Sequence, residues 1–168
     1  MEPIERIEWR DADSLRANFW NPNRVAKQEF ELLELSLLTN GWIQPILINS
    51  SDLLIDGFHR WLLSRDSTKV RERWDGRVPC VVFDIPDDEA MALTVRINKA
   101  KGRHMTTNFQ DILKDLFNNY GWTKKRLKQE FGLTADELRV LLAEDIFGAL
   151  GKLDKYQYSQ AWYPSSKD

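Results

Sequence analysis

Asp56-Gly57-Phe58-His59-Arg60 places a carboxylate, a glycine, an imidazole and a guanidinium side by side at the end of an apolar run. A glycine between a strand and a helix leaves the first helical amides without intrahelical acceptors, and such amides hold anions. An imidazole and a guanidinium fork beside them are side chains that grip phosphate oxygens. The competing reading is an ordinary Asp-Gly turn with solvated His59 and Arg60. What favours phosphate is a second cluster, in which Arg96, Lys99, Lys101, Arg103 and His104 follow one another with no acid among them. In a compact sheet, the helix ending at Asn98 would aim Asn98, Lys99, Lys101 and Arg103 at the same mouth, although cations at a helix C-terminus also suit its dipole. Asp56 adds reaction chemistry. A carboxylate beside a phosphate is costly unless it meets Mg²⁺ or a hydroxyl donor, so Asp56 suggests phosphoryl transfer, as base or metal ligand, with His59 orienting the phosphate. Glu34 is a further acid considered as a metal or base partner, against a plain surface role.

The elements that must position these groups follow from periodicity. Residues 4–9 alternate as a short first strand, and residues 11–24 form an irregular loop rich in Asn, Asp and Pro. From Val25, the spacing of Phe30, Leu33 and Leu37 predicts a helix of about four turns, stopped by Asn40-Gly41. IQPILINS and LLID, separated by Ser-Ser-Asp, predict a hairpin, and HRWLLSRD a helix after it. TKVRERWDGR reads as a charged, exposed connector. VPCVVFDI reads as a buried strand, and Pro86-Asp87-Asp88-Glu89 opens a helix that runs to about Asn98. The last third is helical, at 108–119, 124–131 and 135–149. Thr107 with Gln110 and Thr134 with Glu137 match the capping-box spacing, and Thr123 is an N-cap.

Composition narrows the function classes. The 168-residue chain has a formal charge of -2, which excludes a uniformly basic protein that coats nucleic acid, so any anion site must be local. No run is long enough for a membrane helix, and the N-terminus shows no signal-peptide pattern, so a cytoplasmic protein is expected with no membrane partner. Cys80 is the single cysteine; it sits between valines and reads as a buried, inert thiol.

GWIQPILIN, LLIDGFHRW and VPCVVFDIPDDEAMALTVRINKAKGR, in that order, resemble the ParB/sulfiredoxin-like nucleotide-binding family across roughly residues 4–105. EFELLELSLLTNGWIQPILI is similar to the ELxxLxxSI helix and GxxQPIxV strand of ParB N-terminal domains. The resemblance sets Gly57-Phe58-His59-Arg60 at the GERR phosphate-binding box, where sulfiredoxins have GCHR and ParB-like serine kinases a similar xGxHR. It implies that Gly57, His59 and Arg60 bind the phosphates of a nucleotide such as ATP, ADP or CTP, with Mg²⁺ possible. Phe58 stands where sulfiredoxin has its cysteine, which excludes sulfinic-acid reduction. The ENxxR box becomes 97–101, with Ile97 for Glu and Lys101 for Arg, a departure from metal-dependent CTP hydrolysis that leaves Asn98 and Lys101 as phosphate contacts. The wording is similar to the branch of prophage-gene co-activators through Asn21-Pro22-Asn23, Asp56 to Arg60 and Asn98 to Gly102.

The helical end has the order of a helix-turn-helix. Its second helix carries Asp136, Glu137, Glu144 and Asp145 against Arg139, which would repel DNA phosphates. The preceding helix carries Lys124, Lys125, Arg126 and Lys128, either as a phosphate-contacting surface or as a solvated face. Trp122, Phe131, Leu133, Leu138 and Leu141 are expected in the core of this module. Trp61, Trp74 and Trp162 stand as core or rim residues, or as platforms for a base.

The expected architecture is an α/β (α+β) ParB/sulfiredoxin-like mixed sheet with helices at 1–104, a helical helix-turn-helix-like module at 105–150 and an aromatic tail at 151–168, with Gly102 at the first boundary. The expected function is nucleotide-dependent regulation, transcription included, of a DNA or protein interaction of the helical tail. The alternative is an ATP- or ADP-dependent phosphotransferase or NTPase using Asp56 and His59.

Overall fold

A computed structural model describes residues 2–17, 27–100 and 107–143. The chain divides after Trp122 into two compact units. In the first, β1 (Ile7–Asp11), β2 (Ile46–Asn49), β3 (Leu54–Asp56) and β4 (Arg77–Phe83) form one mixed sheet in the order β1-β4-β2-β3. β4 runs antiparallel to β1 and parallel to β2, and β2 and β3 are the expected antiparallel hairpin. The mixed α/β class is therefore as the sequence implies. The first strand begins later than residue 4, because Pro3 opens a 3-10 turn over Pro3–Glu5.

Helices α1 (Lys27–Asn40), α2 (Phe58–Asp66), α3 (Thr68–Trp74), α4 (Asp87–Ala100) and α5 (Thr107–Asn118) complete this unit. α3 replaces the expected connector. The Ser67 side chain caps it by accepting the Val70 N–H, Val70 is 1% exposed, and Asp75 in the left-handed region ends it. Four of its seven residues are charged, but one buried valine, flanked by the packing of Trp74, is enough to seat so short a helix. Glu34 takes part here: its carboxylate accepts the Ser67 hydroxyl.

One core forms where Ile46, Ile48, Leu54, Val78 and Cys80 of the sheet meet Ala12, Leu15 and Trp61. Burial pushes the Cys80 thiol up to about 12, which keeps it a neutral, inert core group. A second cluster joins Leu37 of α1 to Leu63 and Val70. α4 buries Ala90, Met91, Ala92, Thr94 and Val95 and packs on β2, β3 and α5.

The second unit contains α6 (Lys124–Phe131) and α7 (Ala135–Leu142) among its described residues. Thr123 caps α6, and Thr134 with Glu137 forms the expected capping box of α7. Leu127, Phe131 and Leu138 are buried. Trp122 is buried too, but it belongs to the first unit, where its indole donates to Asp88 at 2.8 Å. The Asn21-Pro22-Asn23 loop, the Thr107 side chain, Gly102 and residues 144–168 lie outside the described residues.

Asn49, fully buried, fixes the hairpin that leads to the Asp-Gly step. Its amide donates to Ile85 O at 3.2 Å and to Asp87 Oδ1 at 2.7 Å. Its carbonyl oxygen accepts from the Ser51 N–H, the Ser51 hydroxyl and the Leu53 N–H at 2.9–3.1 Å. One side chain thus joins the β2-β3 turn to the start of α4. Burial alone would raise the Asp87 carboxyl, but hydrogen bonds from Asn49, Ser51 and Arg16 hold it below the ordinary carboxylate value.

Two outcomes follow. Asn49→Ala leaves several buried backbone and side-chain groups unpaired and should cost about 2–4 kcal/mol in urea denaturation. The stabilisation from Asp87, whose folded pKa is depressed, is present above the unfolded pKa of about 4 and lost as pH falls through the folded value. The urea midpoint should therefore drop below about pH 4, and Asp87→Asn should flatten part of that drop.

Candidate functional site

Gly57 alone separates the end of β3 from the start of α2. Its φ is 98°, in the left-handed region that side chains rarely adopt. A Cβ there would stand 3.1 Å from Arg60 Nη2, 3.2 Å from Ile46 Cγ1 and 3.3 Å from Ile46 Cα. Glycine is thus required twice, by conformation and by space. The Gly57 carbonyl accepts the Trp61 N–H at 3.0 Å, closing the first turn. The amides of Phe58, His59 and Arg60 precede that bond and have no intrahelical acceptor.

Trp61 anchors the helix behind them. It is 3% exposed, its indole donates to Ala12 O at 2.8 Å, and Arg65 stacks 4.7 Å above its ring. It is a core residue and not a platform for a base. Phe58 packs on Trp61, and the half-buried His59 ring stands edge-on to Phe58 at 5.7 Å.

Arg60 folds back over the sheet end. Nη1 donates to Gln44 Oε1 at 2.8 Å, Nη2 donates to Pro45 O at 3.4 Å and lies 3.8 Å from Asp56 Oδ2. The side chains of Arg60 and Asp56 are 17% and 23% exposed. Arg60 Nε is buried with no hydrogen-bond partner among the described residues. Burial lowers the guanidinium pKa, and Asp56 raises it part of the way back. Gln44 had no role in the sequence reading. The QPI wording held the signal, but its partner lies sixteen residues along the chain.

α4 runs beside β3 towards the same end. At its start Asp87 meets Asn49 and Ser51 of the hairpin turn, and two turns later Thr94 donates to Ile55 O at 3.0 Å. Asn98, about 6 Å further along the axis at 1.5 Å per residue, therefore comes to the Asp56-Gly57 end of the strand and is half-buried. Arg96 and Lys99 are exposed. Lys101, Arg103 and His104 lie outside the described residues.

Among the described residues, no three His, Cys, Asp or Glu side chains converge to hold a metal. Asp56 offers one carboxylate, which suits Mg²⁺ only where phosphate oxygens complete the shell. An open depression of about 420 Å³, lined in part by Arg65, Asp66, Arg71 and Glu72, lies at the opposite end of α2 from Gly57. Lys124 and Lys125 of α6 are exposed, and Arg126 and Lys128 are half-buried.

No protein-family model matches the chain. It is 33% identical over 165 residues to the uncharacterized protein YbdM of Escherichia coli (strain K12), covering 96% of this chain and 78% of that protein. It is 23% identical over 142 residues to the probable chromosome-partitioning protein ParB of Rickettsia bellii (strain RML369-C), covering 84% of this chain and 47% of that protein. The chain thus spans about half the length of the Rickettsia relative. A Pnob8-like ParB-N domain shares the fold at a TM-score of 0.51 and 16% identity, over 88% of this chain and 72% of that one. Truncated ParB from Caulobacter crescentus complexed with CTP-gamma-S gives a TM-score of 0.43 at 21% identity, covering 89% and 86% of the two chains. The same protein complexed to the centromeric parS site gives 0.46 at 19% identity, covering 86% and 78%.

Gly57→Ala forces both a strained φ and a contact with the Ile46 backbone, and should cost about 1–3 kcal/mol in thermal denaturation.

Proposed function

We propose, for a chain that belongs to the ParB-like family and counts the Escherichia coli protein YbdM among its relatives, that it is a nucleotide-binding regulatory protein. The nucleotide's phosphates sit on Gly57, His59 and Arg60, with Asn98 and Lys101 as further donors. The observation that carries this reading is the largely sheltered Arg60 guanidinium beside the glycine-led N-terminus of α2. A half-buried cation with one carboxylate 3.8 Å away and a buried Nε that makes no hydrogen bond among the described residues gains from an arriving anion. The amides at the start of α2, which have no intrahelical acceptors, add donors at the same junction.

The bound state would act on a DNA or protein partner of the helical tail. α6, the left-handed Gly132 and α7 follow one another in helix-turn-helix order. Lys124, Lys125, Arg126 and Lys128 suit phosphate contact, whereas Asp136 and Glu137 in the first turn of α7 oppose it.

A second reading, an ATP- or ADP-dependent phosphotransferase or NTPase, is favoured by the partly exposed Asp56 carboxylate next to Gly57. The 3.8 Å approach to Arg60 equally supports Asp56 as the group that orients the guanidinium. The two readings part at Asp56→Asn. As a base or Mg²⁺ ligand, Asp56 is needed for turnover but not for binding.

Calorimetric titration with ATP, ADP, CTP and GTP, with and without Mg²⁺, should give binding by at least one of them. Arg60→Ala, checked for folding by circular dichroism, should weaken it by about 30-fold or more. Binding by none of the four would overturn the proposal and move the function to the helical tail. Turnover by the wild type that Asp56→Asn abolishes would make the protein an enzyme.

A further inference from the structure

We propose that β1 is the seam of a symmetric dimer, in which the β1 edges of two copies pair antiparallel about Trp9. β1 is an outer strand of the sheet. Its burial alternates, so that Ile7 and Trp9 face solvent at 50% and 42% exposure while Glu8 and Arg10 are half-buried on the other face.

The ladder leaves the edge backbone pointing outward. Ala12 N–H donates to Gly76 O, which makes 12 and 76 a hydrogen-bonded pair. Antiparallel pairs alternate, so Arg10 with Val78 and Glu8 with Cys80 also bond to β4. Pro79, opposite Trp9, has no N–H to offer, in keeping with that alternation. The backbone groups of Ile7, Trp9 and Asp11 therefore face the edge that no strand among the described residues covers. Arg77 donates to Trp9 O at 2.7 Å, which leaves that carbonyl a second lone pair, whereas Asp11 O already accepts both the Ser14 hydroxyl and the Ser14 N–H at 2.8–3.1 Å, so the pairing centres on Trp9.

The strand is complementary to itself. A two-fold axis at Trp9 sets Trp9 against Trp9 and Ile7 against Asp11 on one face, and Glu8 against Arg10 twice on the other. Within one copy Arg10 already lies 2.7 Å from Glu8, so the axis would create four alternating charges. A partly apolar edge strand is a template for such pairing, and the charge order is what selects a second copy over another strand.

The test is sedimentation velocity of the full chain over a wide concentration range. The wild type should show a reversible dimer. Glu8→Arg sets Arg against Arg at both positions and should weaken association by about tenfold. Combining it with Arg10→Glu reverses the order of charges and should restore the dimer. Trp9→Cys gives an independent readout. Directly opposed, hydrogen-bonded residues lie about 5.5 Å apart at Cα, within disulfide reach, so mild oxidation should link two copies. The thiol of Cys80, buried with its pKa pushed up to about 12, does not compete. A chain that stays monomeric at every concentration overturns the proposal. So does a dimer that is indifferent to Glu8→Arg, or one in which Trp9→Cys does not cross-link. If Glu8→Arg is misfolded by circular dichroism, the Trp9→Cys cross-link decides.

Discussion

The junction between β3 and α2 admits no side chain, and the rest of the candidate site is a consequence of that. At φ 98°, and with Ile46 Cα 3.3 Å from where a Cβ would be, the chain turns within one residue from extended to helical. That abrupt turn sets the first amides of α2 at the sheet end and brings Arg60, three residues later, back to Asp56 and Pro45 O. A longer connection would separate Asp56 from Arg60 and break their contact. Compactness at one glycine makes Asp56, the start of α2 and Arg60 neighbours.

Elements outside the junction hold it in place. Trp61 ties α2 to the loop after β1 through Ala12, and Asn49 ties the hairpin turn to the start of α4. Both are buried polar groups whose hydrogen bonds are made, the condition under which a polar core residue specifies geometry instead of weakening it. Because α4 is fixed at Asp87 and again at Thr94, the direction of Asn98 follows from two contacts far from Asn98 itself.

How much of this was legible in sequence depended on how local the cause was. The hairpin, β4, α4 and the caps at Thr123 and Thr134 were legible because alternation and capping are short-range signals. The strand-to-helix turn at DGFHR was legible for the same reason. α3 was not, since its charged residues outnumber the one valine that buries, and one partner of its capping Ser67 is Glu34, thirty-three residues earlier. That contact also gives Glu34 a structural position that composition alone had left between metal ligand and surface acid. Trp122 adjoins α6 in sequence, and only the contact with Asp88 reveals that it belongs to the first unit. Gln44 carries no local signal of this kind, because its meaning lies in the guanidinium it holds.

The character of the site follows from where its charge is kept. With a formal charge of -2, the chain offers no general attraction to anions. Its guanidinium is sheltered from solvent, so an interaction there is screened less by salt than one on an exposed basic face. Arg60 is also not idle: Gln44, Pro45 O and Asp56 hold it in one orientation. An anion that takes up Arg60 would therefore compete with groups at the start of β2 and the end of β3, beside the backbone of Ile46. Binding at such a place would redistribute contacts between two strands and a helix. On that reading the regulatory step is an exchange of partners at one guanidinium, carried into the sheet by the residues that release it.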